Sequence, residues 1–189
     1  MQNAYILHGC CGEEEYFSKD VPSPSNFHWI PWLQKQLVMK QYHCQTPEFP
    51  APYKASYATW KKLFGYYPVD ADATLIAHSC GGGFFLRYLS EHKDIRIKKL
   101  VLVAPWVDPD RYMGDFLKFD LDPSLVNRIE QIHVFYSEDE PISGVAATVD
   151  LVMQTYPNAI MHRFTNHGHF CLAHMGTDAF PELLEVVSK

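Results

Sequence analysis

The sequence lacks a long apolar run, a leader-like start and an excess of basic charge. No stretch approaches the roughly 18 apolar residues of a membrane span. Residues 1–9 show neither the basic region nor the long apolar region of a secretory signal. The formal net charge is -6, which argues against nucleic acid as the main partner. We therefore expect a cytoplasmic protein with no membrane or nucleic-acid partner.

The sequence also has few cysteines and no regular cysteine framework. The five are Cys10, Cys11, Cys44, Cys80 and Cys171. Zinc sites usually show tight local pairs such as C-x-x-C with H-x-x-x-H, and no such pair occurs here. In a chain without a secretory signal, reduced thiols are the expected state. We predict five free cysteines, no metal and no cofactor.

The composition is that of an ordinary globular chain. The 189 residues are 47% hydrophobic and 20% charged, which fits one domain over residues 1–189 with ample length for a layered core. Six short apolar runs are predicted as strands, at residues 5–7, 42–46, 73–78, 97–104, 132–136 and 160–164. Five helices are predicted at residues 30–40, 56–64, 82–90, 144–155 and 178–187, and residues 13–26 are predicted as a surface loop. The alternation predicts an α/β fold with a mainly parallel sheet covered by helices on both faces.

The third predicted strand ends abruptly at Ser79. The local sequence is Ala77-His78-Ser79-Cys80-Gly81, and a helical pattern follows it. A strand that turns sharply into a helix at a serine is the nucleophile elbow of α/β-hydrolases, usually G-x-S-x-G, with small residues needed where strand and helix meet. Ala77 replaces the first glycine. The alternative interpretation is an ordinary strand–helix junction with a bystander serine.

An acid and a histidine follow Ser79 at the ends of later strands. In parallel sheets, functional residues gather at the carboxyl ends of the strands. Ser79, Asp139 and His169 appear there in the chain order of an α/β-hydrolase triad. Rivals for the acid are Glu138, Glu140 and Asp108, and His167 is the rival for the histidine. His78 is interpreted as a packed neighbour of the elbow.

These residue types suit acyl transfer. A serine hydroxyl attacks only when a base takes its proton, histidine titrates near neutral pH, and a carboxylate fixes the tautomer of the imidazole. The oxyanion needs backbone donors. The Cys80 N–H, at the start of a helix, is one candidate donor. The Cys10 N–H in the loop after the first strand is the other, with Cys11 as second choice.

Four stretches together resemble a known family: H-G-x-x-G at His8–Gly12, H-S-x-G at the elbow, the acidic loop Ser137–Pro141 and the turn Gly168–Phe170. They are similar to those of the small serine hydrolases related to retinoblastoma-binding protein 9, over nearly the whole chain. The resemblance implies a compact, lidless α/β-hydrolase fold with about six strands in the order 2-1-3-4-5-6. It also places Ser79, Asp139 and His169 on the triad positions of the family.

The resemblance and the loop lengths predict a small substrate. Only about 25 residues separate Pro105 from Gln131, too few for a cap domain. We expect an open site that cleaves a small ester, thioester or amide with water as acyl acceptor, as an esterase or peptidase-type hydrolase does. Candidate substrate contacts are Cys11, Trp106 and Phe170. Two alternatives remain open: a protein-binding module that kept the fold and lost activity, and a metal-dependent hydrolase.

Overall fold

The computed structural model describes all 189 residues, Met1–Lys189, around a six-stranded sheet. The strands are β1 (Asn3–Leu7), β2 (His43–Gln45), β3 (Thr74–His78), β4 (Ile97–Val103), β5 (Ile129–Ser137) and β6 (Ile160–Phe164). Their order is β2-β1-β3-β4-β5-β6 and every neighbouring pair is parallel. The predicted strand order is confirmed, and the carboxyl ends of all six strands lie at one edge of the sheet.

Seven α-helices connect and flank these strands. They are α1 (Glu13–Phe17), α2 (Ile30–Met39), α3 (Tyr57–Phe64), α4 (Cys80–Glu91), α5 (Val145–Thr155), α6 (Leu172–Met175) and α7 (Pro181–Ser188). Two of them were not predicted: α1 lies inside the predicted loop 13–26, and α6 follows the last strand. Both span less than two turns, too short to show an apolar period. None of the helices combines the length and apolar character that a membrane span needs.

The central strands are buried on both faces. All five residues of β3 and the last four of β1 are buried. Successive side chains of a strand point to opposite faces, so unbroken burial requires cover on each side of the sheet. Helix α2 packs beside α7, and α3 meets α4 through the rings of Phe64 and Tyr88, whose centroids lie 5.0 Å apart. Between β4 and β5 the chain forms only loops and the 3-10 helix Pro123–Asn127, so no cap domain covers the strand ends.

The first turn of α4 approaches the loop after β1 very closely. A Cβ placed on Gly81 would lie 2.4 Å from the carbonyl oxygen of His8, far inside van der Waals contact. Two positions before Ser79, Ala77 lies within β3, pairs in register with Leu7 and is fully buried. Glycine is therefore required on the helix side of the elbow, whereas alanine fits on the strand side.

We expect Gly81→Ala to destabilise the protein by about 1–3 kcal/mol, because the new methyl group meets backbone atoms that cannot rotate away. Urea unfolding followed by circular dichroism measures this change in the free energy of unfolding. Gly12→Ala is the matched control, since a Cβ at Gly12 has no neighbour within 4 Å. Equal stability of the two variants would contradict the close approach described here.

Candidate active site

Ser79 occupies a strained backbone position between β3 and α4. Its φ of 53° and ψ of -125° lie in a region that side-chain-bearing residues rarely adopt. Such strain costs on the order of 1–3 kcal/mol and persists only where surrounding bonds fix the residue. The Ser79 N–H donates to the carbonyl of Val103 at 2.9 Å, and the Ser79 carbonyl accepts from Gly82 and Trp106. The elbow that the sequence predicts is therefore held by three backbone hydrogen bonds.

The Ser79 side chain lies beneath the loop that leaves β1. Ser79 is only 9% exposed, and a Cβ on Gly9 would be 3.0 Å from the Ser79 Cβ. The ring of His169 makes hydrogen bonds only to Glu140, so serine and histidine are not hydrogen-bonded in this structure. Bonds between a nucleophile and its base are often long before substrate binds, and tighten in the reacting complex.

A buried carboxylate holds the imidazole of His169. Both carboxylate oxygens of Glu140 lie 2.9 Å from the His169 Nδ1, and the Glu140 side chain is 1% exposed. The carboxylate accepts a hydrogen bond from the Nδ1–H, so the proton of the neutral ring stays on Nδ1 and Nε2 is the nitrogen able to take a proton from a nucleophile. The backbone of His169 is also fixed, because its N–H donates to Nδ1 of His174 and its carbonyl accepts from His78 Nε2.

The structure corrects the prediction that Asp139 contacts His169. The carboxylate of Asp139 accepts from the Ser137 hydroxyl and from the Gly168 N–H, and the residue is exposed. These hydrogen bonds, the one from Ser137 first, lower the pKa of Asp139. Ser137 also accepts from the N–H of His167, so the pair joins the end of β5 to the histidine loop. Asp139 thus positions the loop on which His169 lies.

His167, the rival for the catalytic histidine, packs against its neighbours in the loop after β6. His167 packs its ring on Phe164, with centroids 4.4 Å apart, and its Nδ1 pairs with Asn166. His78 is buried, and burial is the main cause that lowers its pKa well below the usual value, followed by the charge of His169. His78 is therefore neutral and supports the backbone of His169.

The two predicted oxyanion donors are joined through their side chains. Cys10 and Cys80 form a disulfide with their Cα atoms 5.8 Å apart, whereas Cys11, Cys44 and Cys171 are free. The prediction of reduced thiols is wrong for this pair, because β1 and β3 are neighbours and bring both cysteines to one place. Neither the Cys10 nor the Cys80 N–H donates to a protein acceptor, and an N–H in the first turn of a helix has no intrahelical partner.

A pocket of about 340 Å³ opens beside these groups, which is within the range of small-molecule sites. Its wall includes Gly9, Cys10, Cys11 and His169, together with other histidines. No group of three or more histidine, cysteine or acidic side chains is arranged to hold a metal ion.

Of the three predicted substrate contacts, only Cys11 lines this pocket. Trp106 and Phe170 do not line it, which corrects that prediction. The Trp106 indole donates to the carbonyl of Ser143, and its backbone N–H supports the elbow. Phe170 is fully buried and its ring stacks 5.5 Å from that of Phe180. Both positions follow strands, but Phe170 lies inside the core and Trp106 is half-buried against it.

The sequence profile of the serine hydrolase family matches residues 22–189. This chain belongs to the serine hydrolase family. The family membership confirms the broader part of the resemblance drawn from the motifs, and the closer likeness to retinoblastoma-binding protein 9 stays a prediction. No curated protein sequence matches the chain.

Solved structures show the same fold as this serine hydrolase. The ydeN gene product of B. subtilis has a TM-score of 0.83 and 22% identity, over 100% of this chain and 97% of that one. A putative YdeN-like hydrolase from Pectobacterium atrosepticum has a TM-score of 0.62 and 16% identity, over 99% and 89%. Est1E from Butyrivibrio proteoclasticus, solved with ferulic acid bound, has a TM-score of 0.62 and 14% identity, over 100% and 87%.

The disulfide of this serine hydrolase predicts the number of reactive thiols. Alkylation under denaturing conditions without reductant should modify three cysteines, namely Cys11, Cys44 and Cys171, and all five after reduction. Intact-mass spectrometry counts the modified thiols. Cys10→Ser frees Cys80 and should raise the unreduced count by one, whereas Cys171→Ser should lower it by one. Five modified thiols in the unreduced wild type would contradict the disulfide.

Proposed function

We propose that this chain is a single-domain hydrolase that cleaves a small ester, thioester or amide through an acyl-enzyme. Its triad is Ser79, His169 and Glu140. The observation that carries the proposal is the buried Glu140 carboxylate on the His169 Nδ1, at 2.9 Å. A strained serine at an elbow, at the carboxyl end of β3 and so on the same edge of the sheet, supports it. An esterase domain from a Rhodothermus marinus protein, which is also similar in structure, is consistent with this reaction class.

Each step has a residue suited to it. His169 Nε2 takes the proton of Ser79 as the hydroxyl attacks the substrate carbonyl. The oxyanion is stabilised by the N–H groups of Cys10 and Cys80, which have no other acceptor. His169 then gives the proton to the leaving group. Water, activated by the same imidazole, releases the acyl group and restores Ser79.

The proposed scope is a small acyl substrate and water, without a metal or cofactor. The pocket of about 340 Å³ and the missing cap domain favour a small substrate over a polymer. The cytoplasmic location stays a prediction. The Cys10–Cys80 disulfide is of a kind more common in oxidising compartments.

We expect a fluorophosphonate probe to label the wild type covalently and to leave Ser79→Ala unlabelled. The probe reacts only with a serine activated by a neighbouring base. In-gel fluorescence or the mass of the labelled peptide provides the measurement. Ser124→Ala is the control, since that exposed hydroxyl, in the 3-10 helix before β5, bonds Asp122 at the opposite end of the strand from Glu140. Equal labelling of wild type and Ser79→Ala, or labelling of neither, would refute the proposal.

Glu140→Gln and Asp139→Asn form a matched pair that tests the assignment of the acid. Glu140→Gln should lower kcat by about 10³–10⁴-fold, because the amide no longer fixes the tautomer and charge of His169. Asp139→Asn keeps an oxygen acceptor for the Gly168 N–H and should cost about tenfold or less. Hydrolysis of p-nitrophenyl acetate measures both. A larger loss in Asp139→Asn than in Glu140→Gln would return the role to Asp139.

A further inference from the structure

The pocket wall contains a histidine that the proposed chemistry does not use. His28 lies just before α2 and is partly buried. Its φ of 58° is uncommon for a residue with a side chain, and its ring stacks on Phe27 with centroids 4.1 Å apart. The strained backbone and the stacked ring hold the imidazole in one orientation at the edge of the pocket.

A hydrogen bond sets the tautomer of His28. The backbone N–H of Leu172 donates to the His28 Nδ1 at 3.2 Å. Because Nδ1 accepts this bond, the proton of the neutral ring lies on Nε2. Nε2 has no hydrogen-bond partner in the protein and is not enclosed. The ring therefore presents one N–H donor to a ligand in the pocket.

His28 is neutral at physiological pH. Burial is the main cause that lowers its pKa to about 4, followed by the charges of His169 and His174. A neutral N–H donor suits a neutral acceptor, such as a carbonyl, hydroxyl or ether oxygen, because it offers no full charge to balance an anion.

His28 lies on the side of the pocket where the proposed leaving group departs. Its Nδ1 accepts from the N–H of Leu172, the first residue of α6 and three residues beyond His169, and the centroid of its ring lies 5.8 Å from that of His78. In the proposed mechanism, His169 passes the proton to the departing group, so the leaving group lies on the histidine side of the site.

We propose that His28 is a specificity-determining residue whose Nε2–H donates a hydrogen bond to an oxygen acceptor in the leaving group. The preferred substrates are esters or amides whose alcohol or amine part carries such an oxygen. This inference rests on the proposed hydrolase function and adds a requirement on the substrate to it.

Two variants separate the donor from the structural role of the ring. His28→Asn keeps an oxygen near the Nδ1 position to accept from Leu172, tolerates positive φ, and removes the Nε2–H donor. His28→Gln reaches further and places an amide N–H near the Nε2 position. The substrates are methoxyethyl acetate and butyl acetate, which share the acyl group and the leaving-group length and differ by one oxygen.

The wild type should favour methoxyethyl acetate over butyl acetate in kcat/KM, measured by acid release. His28→Asn should reduce that ratio about five- to tenfold, and His28→Gln should restore part of it. A general structural defect would lower both rates together and leave the ratio unchanged. Slowing of fluorophosphonate labelling by each ester gives a second readout of the same preference, which does not depend on turnover.

An unchanged ratio in His28→Asn, or no preference in the wild type by either readout, would overturn the inference. A second ester pair, butyl methoxyacetate and butyl butyrate, has the acceptor in the acyl part. If His28→Asn changes only the preference within that pair, the assignment to the leaving group is wrong. If the fluorophosphonate labels the wild type and His28→Asn leaves the ratio between the esters unchanged, this inference alone is refuted. If the wild type is not labelled, the hydrolase proposal is refuted.

Discussion

The active-site geometry depends on the close contact between the first turn of α4 and the loop after β1. Gly81 lies so near the His8 carbonyl that no side chain fits there. This approach brings the strained Ser79 next to Gly9, and it brings Cys10 within disulfide reach of Cys80, the residue after the serine. The cost of the strain, of order 1–3 kcal/mol, is offset by three backbone hydrogen bonds to Ser79.

Backbone hydrogen bonds fix the state of the histidines around this contact. His8 accepts from the Phe49 N–H, His28 from Leu172 and His174 from His169, while His78 pairs with the His169 carbonyl. A ring nitrogen that accepts from an N–H carries no proton, which favours the neutral ring. Among the histidines that line the pocket, His169 is the one whose ring pairs with a buried carboxylate, so it is the one equipped to gain charge during a reaction.

The apolar runs predicted the carboxyl end of every strand to within one residue, because a buried strand stops where polar and turn residues begin. The strand order came from the family resemblance. The sequence could not separate Asp139 from Glu140, since adjacent residues in a turn point in directions that the pattern does not encode. One local signal was present. Ser137 and Asp139 are two residues apart, a spacing at which a hydroxyl and a carboxylate bond each other within a turn. Such a pair occupies Asp139 and leaves Glu140 for the histidine.

The disulfide shows a related limit of composition-based reasoning. Topology placed Cys10 and Cys80 together at the predicted oxyanion hole, yet the lack of a regular cysteine framework favoured free thiols. The bond links the loop after β1 to the start of α4, the two segments that carry the unpaired N–H groups. Donors held in place before the reaction need no reorganisation when charge develops. A cross-link between them therefore contributes to the proposed oxyanion hole through rigidity, with no thiol chemistry required of either sulfur.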